Sequence, residues 1–374
     1  MSTNFFSQLK DFPLTKKTTT SERILSVDAL RGFDMFWIAG GEGIFKSLDS
    51  IFHSPATLWI STQLDHVEWL GFRFYDIIMP LFLFIVGVAM PFSFHKRMAS
   101  GSSKMHIMSH VIKRAFILWF LGMVVQGNLL SYSWSNYHFY SNTLQAIAAG
   151  YLIASLIILY FNILKQIIIT IGLMILYWVV MILLPGGSGL YDPQQNAAIY
   201  IDKLILGAHQ DGTTYSWILS SLNFTATTML GVFCGYILQS VATGIKKVFY
   251  LLILAVFCYL LAIAWNPIHP IIKHIWTGSF VLFAGSFSIL LLAVFYLIID
   301  VLKMKGWSRM FIIIGANAIV AYVAWHLFDF RYISDIFIRG LDQYTGNWYQ
   351  FIRNTGGFLT LLLLLWYMYS RKIF

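Results

Sequence analysis

The chain has 374 residues, of which 58% are hydrophobic and only 11% carry charged side chains. A soluble domain has about 25% charged residues, so this composition excludes a soluble enzyme. The two cysteines exclude a disulfide-rich scaffold, and the apolar content excludes a disordered chain or a coiled coil. The sequence therefore predicts an all-α polytopic membrane protein.

The net charge of +9 does not indicate a nucleic-acid partner, because the basic residues stand in short clusters between long apolar runs. Membrane lipid, and not nucleic acid, is the expected partner of the protein surface. A spanning helix needs about 20 mostly apolar residues, and this criterion predicts about ten transmembrane helices. The predicted spans lie at approximately 28–46, 75–95, 112–131, 143–161, 166–184, 222–241, 247–265, 279–300, 309–328 and 355–370.

The distribution of Lys and Arg predicts the orientation. Most of them fall on alternate connecting segments, with the densest cluster between residues 96 and 114, and such segments are typically cytoplasmic. Both termini are then cytoplasmic, and the loops near 47–74, 185–221 and 329–354 face outward. Residues 1–22 are polar without a signal-peptide core and are predicted to be a cytoplasmic tail. Residues 23–374 are predicted to form one transmembrane domain.

The first predicted span contains an unusual density of ionisable groups. Asp28 and Arg31 are three residues apart on a helix, so they share a face and could form a structural ion pair. Glu42 lies near the outer end in a Gly-Gly-Glu-Gly context, where the backbone can approach a ligand closely. Ionisable residues within a span indicate a functional site.

The second concentration of polar residues runs from Asp65 to Asp76, at the start of the second span. An interfacial aromatic belt accounts for its Trp, Tyr and Arg residues, but not for His66 followed by Asp76. A single histidine is more often structural. One surrounded by carboxylates can be a tuned base.

Other polar residues in or beside the spans are weaker signals, and each alone is more typical of architecture than of chemistry. These are Gln145, Lys273, Asn317 and His326. Zinc-type spacing, a P-loop, a nucleophile elbow and a dinucleotide fingerprint are all missing from the sequence, so no metal site is predicted.

Two motifs are specific enough to indicate a family. Residues 26–33, Ser-Val-Asp-Ala-Leu-Arg-Gly-Phe, resemble the opening signature of the heparan-α-glucosaminide N-acetyltransferase family of transmembrane acyltransferases. The segment from His66 through Trp69, Asp76 and Pro80 to Gly87 resembles the stretch that carries the family's catalytic histidine. The resemblance covers about residues 23–328. Weaker matches lie at 144–145, 185–187, 200–203, 267–277 and 315–326.

The resemblance implies transfer of acetyl from cytosolic acetyl-CoA to the amine of an extracytoplasmic amino sugar such as glucosamine. It implies a multi-pass protein of the bacterial inner membrane, and a homodimer is a further expectation. His66 would be the catalytic histidine, as base or acetyl carrier, and Asp76 its acidic companion. On chemical grounds independent of the resemblance, Asp76 or Glu42 could fix the tautomer of the imidazole.

The motif matches place Asp28, Arg31 and Gln145 at the donor. Independently of the resemblance, the basic cluster that contains Lys113 and Arg114 suits the phosphates of coenzyme A. The candidate acceptor residues are Glu42, Lys273, Asn317 and His326.

The chain also departs from the family pattern. Lysosomal members have asparagine at the position of Glu42, and relatives often have arginine at the position of Ala146. Their large luminal domain has no counterpart in this sequence, so a small amino sugar is a better expectation for the acceptor than the end of a polymeric glycan, which stays the alternative. Two other functions stay open, a secondary transporter of sugars or amino sugars and a scaffold-like membrane protein.

Overall fold

The computed structural model describes residues 24–127, 129–130, 133–134, 137–184 and 189–373. Within these ranges helices are joined by turns and loops, and the one β-type pairing is an isolated bridge between Leu70 and Ile272. The predicted N-terminal tail and the motif at 185–187 lie outside the described residues. The α-helices are α1 (Leu25–Phe36), α2 (Glu42–Phe52), α3 (Pro55–Gln63), α4 (Ile78–Ala99), α5 (Lys104–Val125), α6 (Thr143–Tyr160), α7 (Ile163–Leu183), α8 (Ala197–Leu206), α9 (Ser220–Gln239), α10 (Gly244–Trp265), α11 (Gly278–Phe295), α12 (Arg309–Ala316), α13 (Ala318–Leu327), α14 (Phe330–Ile338), α15 (Asp342–Thr345) and α16 (Trp348–Ser370).

Short polar residues fix where several of the long helices begin. The side chains of Asn142, Asn162 and Asn196 each accept a hydrogen bond from a backbone N–H group in the first turn of α6, α7 and α8. These caps satisfy amide groups that would otherwise lack a partner at a helix start. The starts of these three helices are therefore determined by single residues of the local sequence.

Within the described residues, eight helices are long and apolar enough to cross a membrane, and α12 with α13 makes a ninth if the bent pair is one span. These nine correspond to the predicted spans from 75–95 onward. The predicted span 28–46 is instead interrupted. A π-helical stretch, Trp37–Gly41, separates α1 from α2, and Gly40 adopts a φ of 119°.

The chain divides into two compact units. The first contains residues 69–71 and 79–290. In it, α4 and α9 approach each other at glycines: a Cβ atom on Gly87 would lie 1.9 Å from the carbonyl oxygen of Thr228, and one on Gly231 would lie 2.0 Å from that of Phe84. Small residues at such crossings are typical of membrane helix packing.

The second unit contains residues 24–68, 72–78 and 291–373. Here α1 crosses α12 closely, since a Cβ atom on Gly32 would lie 1.7 Å from the carbonyl oxygen of Phe311. Only a glycine fits at Gly40 in the break after α1, because a Cβ atom there would lie 2.9 Å from the Trp325 ring. A second break lies in this unit at Asn317, where α12 and α13 meet at 76°.

Candidate active site

The second unit contains a histidine–carboxylate dyad. Nδ1 of His66 lies 2.8 Å from Oδ1 of Asp76. The Asp76 side chain is fully buried, whereas 43% of the His66 side chain is exposed. Because a carboxylate only accepts hydrogen bonds, this contact assigns the proton to Nδ1 and leaves Nε2 as the nitrogen that can accept one.

A tight turn holds Asp76 in place. The residue lies in the 3₁₀ turn Phe74–Ile77, and its Oδ2 atom accepts the backbone N–H of Arg73 at 3.0 Å and that of Val67 at 3.4 Å. The guanidinium of Arg73 donates to the carbonyl oxygen of His66 at 3.0 Å. The segment that carries the histidine is therefore fastened at both its side chain and its backbone. The sequence-based pairing of His66 with Asp76 agrees with this geometry.

Glu42 is connected to the segment of the dyad by two residues that the sequence did not indicate, Lys46 and Tyr75. Nζ of Lys46 lies 2.7 Å from a Glu42 carboxylate oxygen and 2.6 Å from Oδ1 of Asp65, the neighbour of His66. The Tyr75 phenol lies near the Glu42 carboxylate, and the Tyr75 ring lies 5.1 Å from the His66 ring. Glu42 and Lys46 are four residues apart on a helix, and this spacing alone could have predicted their ion pair. Tyr75 carried no signal beyond that of an interfacial aromatic residue.

The remaining predicted residues of this unit lie on α1, α12 and α13. Arg31 and Asp28 form the anticipated ion pair at 3.6 Å. Asn317 is buried at the break between α12 and α13, and its Nδ2 atom has no hydrogen-bond partner among the described residues. His326 stacks on Tyr322 with ring centroids 4.2 Å apart and bonds that residue's carbonyl oxygen through Nδ1 at 2.8 Å.

The first unit contains a basic cavity between α4, α5 and α6. Its volume is about 290 Å³, and its polar lining includes Arg97, His110, Lys113 and Arg114. The Arg114 guanidinium lies over the Tyr151 ring, 5.0 Å from the centroid. The cavity thus combines clustered positive charge with an aromatic wall, a combination suited to a phosphorylated aromatic ligand.

Gln145 and Lys273, also in the first unit, are built into the protein framework. The Gln145 amide accepts the N–H of Ser141 at 2.7 Å and donates to the carbonyl oxygen of Phe139 at 3.0 Å. Lys273 is only 3% exposed, in the loop between α10 and α11. Gln145 therefore orders the chain that enters α6.

Two buried titratable residues of this unit lie outside the candidate spans. Burial raises the pKa of Asp202 to about 7, although the N–H groups of Trp217 and Ile218 oppose that rise by donating to its carboxylate. Burial lowers the pKa of His269 to about 3. Its Nε2 atom accepts the N–H of Gly278 at 2.9 Å, so the neutral ring is part of the loop structure.

No cluster of three or more His, Cys, Asp or Glu side chains arranged to hold a metal ion occurs in the part of the chain that the structure describes.

Comparison with known proteins agrees with the motifs. No protein-family model matches the chain. It is similar to the heparan-α-glucosaminide N-acetyltransferase of Homo sapiens, with 24% identity over 371 residues that cover 82% of this chain and 53% of that protein. It is 23% identical to the Mus musculus enzyme of the same name over 428 residues, covering 97% of this chain and 62% of the mouse protein. The resemblance found in the sequence is therefore confirmed, and the chain spans little more than half the length of these relatives.

Proposed function

We propose that this chain, a relative of the heparan-α-glucosaminide N-acetyltransferases, is a transmembrane acetyltransferase. It moves acetyl from acetyl-CoA to the amine of a small amino sugar on the other side of the membrane. The observation that carries the proposal is the dyad of His66 and Asp76, which joins an exposed imidazole to a buried carboxylate.

The dyad suits the proton transfer that this reaction needs. The acceptor's amine nitrogen attacks the thioester carbonyl carbon, and Nε2 of His66 takes the proton that the nitrogen must lose. Asp76 holds the ring in the required tautomer and stabilises the imidazolium that forms. Direct transfer and an acetyl-imidazole intermediate both use the same nitrogen.

The acceptor side of the proposal rests on Glu42. Its carboxylate is next to the dyad through Tyr75 and already binds one ammonium group, that of Lys46. An amino sugar presents the same chemical group. Asn317 and His326, which belong to the same unit as Glu42, complete the proposed acceptor residues.

The donor side of the proposal rests on the basic cavity. Its charged lining matches the phosphates of coenzyme A, and Lys113 and Arg114 are the residues expected to bind them. Asp28, Arg31 and Gln145 are proposed to contribute through the family signature. A bacterial inner-membrane location and a homodimer belong to the same proposal.

The orientation can be tested separately by cysteine labelling in intact cells. Both native cysteines are buried, which keeps the background low. A cysteine at Thr62 should react with a membrane-impermeant reagent, and one at Ser102 should not. The opposite pattern would invert the proposed topology.

A secondary transporter is the second candidate, favoured by the two broken helices of the second unit at Gly40 and Asn317. Purified protein in vesicles, given labelled acetyl-CoA and a panel of amino sugars, separates the two functions. The acetyltransferase forms labelled N-acetyl sugar. A transporter accumulates unmodified sugar without acetyl-CoA and forms no acetylated product.

A further inference from the structure

Two carboxylates beside the dyad share a single ammonium group. Nζ of Lys46 lies 2.7 Å from a carboxylate oxygen of Glu42 and 2.6 Å from Oδ1 of Asp65. In the part of the chain that the structure describes, no other cationic side chain forms an ion pair with either carboxylate. Two negative groups and one positive group leave one negative charge uncompensated, so one further cation would balance this cluster.

Ligands can reach these groups from outside the protein. The exposed fraction of the side chain is 29% for Lys46, 34% for Glu42 and 51% for Asp65. The next residue, His66, has a side chain that is 43% exposed. All four residues belong to the second unit, so their distances are those within one compact body. A solvated ligand can therefore contact the carboxylates without any helix unfolding.

Glu42 also lies close to the base of the dyad. The Tyr75 phenol lies near the Glu42 carboxylate, and the Tyr75 ring lies 5.1 Å from the His66 ring. An ammonium group bound at Glu42 is thus separated from the imidazole by one aromatic side chain. The site that Lys46 occupies on Glu42 is a suitable place for the amine of an acceptor.

The ion pair between Glu42 and Lys46 is of a kind that can be exchanged. Both side chains are partly exposed, and such pairs are weak because water solvates the separated charges. When Lys46 leaves Glu42 it keeps its second partner, Asp65. With a second ammonium group at Glu42, the cluster contains two complete ion pairs in place of one ammonium group shared by two carboxylates.

We propose that Lys46 is a specificity-determining residue whose ammonium group is displaced from Glu42 by the protonated amine of the acceptor, an inference that rests on the proposed acetyltransferase function. Lys46 stays bound to Asp65 during this exchange. The bound acceptor then loses one proton to solvent and becomes the neutral amine that attacks the thioester. Acetylation turns the amine into an uncharged amide, so Lys46 returns to Glu42 as the product leaves. The site therefore selects amines over neutral sugars and substrate over product.

The test measures KM for glucosamine at saturating acetyl-CoA in the variant Lys46→Gln. Without the competing ammonium group, KM should fall by about two- to sixfold, the weight of a partly exposed ion pair. Lys46→Arg keeps a cation at this position, so its KM should not fall. Arg339→Gln is the matched control, because Arg339 also forms an ion pair with a carboxylate four residues away, that of Asp335. It should leave KM unchanged.

A double-mutant cycle separates displacement from a general effect of charge. In the Glu42→Gln background the two ammonium groups have no carboxylate to compete for, so adding Lys46→Gln should not lower KM further. If KM falls by the same factor in both backgrounds, Lys46 acts only through its charge and the proposal is wrong. A KM that Lys46→Gln leaves unchanged or raises, or that Lys46→Arg lowers, would overturn it as well.

Calorimetry without acetyl-CoA gives a readout that does not depend on turnover. Kd for glucosamine should fall in Lys46→Gln by the same factor as KM. Binding of N-acetylglucosamine, which has no ammonium group, should not differ between the variant and the unaltered protein. Equal Kd values for glucosamine in the two proteins, or no glucosamine binding by either, would overturn the role of Lys46. If glucosamine binds as predicted but no amine is acetylated with acetyl-CoA, the proposed function fails while the exchange at Glu42 stands.

Discussion

Nδ1 of His66 lies 2.8 Å from Oδ1 of Asp76, and the two side chains differ sharply in exposure, at 43% and 0%. One partner is open to an incoming molecule, and the other is held by the backbone N–H groups of Arg73 and Val67. A buried carboxylate behind an exposed imidazole fixes both the tautomer and the direction of the ring.

The first prediction removes the charge of Asp76. In Asp76→Asn the amide can accept fewer of the local hydrogen bonds and no longer stabilises an imidazolium, so kcat should fall by about 10²–10⁴-fold. Loss of a hydrogen bond to a charged group should also lower the free energy of unfolding by about 1.5–3 kcal/mol. Steady-state kinetics and thermal unfolding measure the two effects. Unchanged kcat in a stably folded variant would show that the carboxylate does not serve the histidine.

The second prediction concerns the bridge from Lys46 to Asp65. Both side chains are partly exposed, so their coupling in a double-mutant cycle of Lys46→Gln and Asp65→Asn should be about 0.2–1 kcal/mol. The coupling should shrink when the salt concentration is raised, because solvent screens the pair. Strictly additive unfolding free energies at low salt would mean that this contact contributes nothing to holding the His66 segment.

The third prediction concerns the basic cavity. Replacing Lys113 and Arg114 together by glutamine should weaken acetyl-CoA binding at least about tenfold, because hydrogen bonds between ions are among the stronger ones. The matched control replaces Lys165 and Lys246, two exposed lysines predicted on the same membrane face, and should bind normally. Calorimetry measures both. Equal weakening in the two double variants would indicate a general charge effect instead of a binding site.

The fourth prediction follows from His269, whose pKa burial lowers to about 3 from its ordinary 6.5. The unfolded chain binds this proton more readily, so His269 contributes stability that is complete above pH 6.5 and is lost as the pH falls toward 3. The unfolding free energy should fall by up to about 1.4 kcal/mol per pH unit in that window. His269→Gln should show a shallower dependence. Identical pH profiles would place the titration elsewhere.

The sequence predicted the features that depend on local pattern. Apolar runs located nine of the helices because a membrane span needs length and little charge, and these are readable residue by residue. His66 and Asp76 were also predicted together, since both lie within one short segment. The ion pair of Asp28 and Arg31 followed from their spacing on a helix.

Features that depend on distant packing could not be predicted in this way. The break at Gly40 is shaped by Trp325, a residue nearly three hundred positions later in the chain. Asp34 of α1 is fully buried, and neither of its carboxyl oxygens has a hydrogen-bond partner among the described residues. The sequence shows that an acid is present, but not whether any group binds it.

The most direct test of the account is the rate of acetyl transfer in His66→Asn compared with His53→Asn. His53 is an exposed histidine of the same unit in the left-handed conformation that asparagine tolerates, so its variant controls for the loss of an imidazole. With labelled acetyl-CoA and the best amino sugar, His66→Asn should lose about 10²–10⁴-fold in kcat while acetyl-CoA binding stays intact. His53→Asn should retain the unaltered rate. If His66→Asn acetylates the amine as fast as the unaltered protein, His66 is not the catalytic base and the proposed mechanism is wrong.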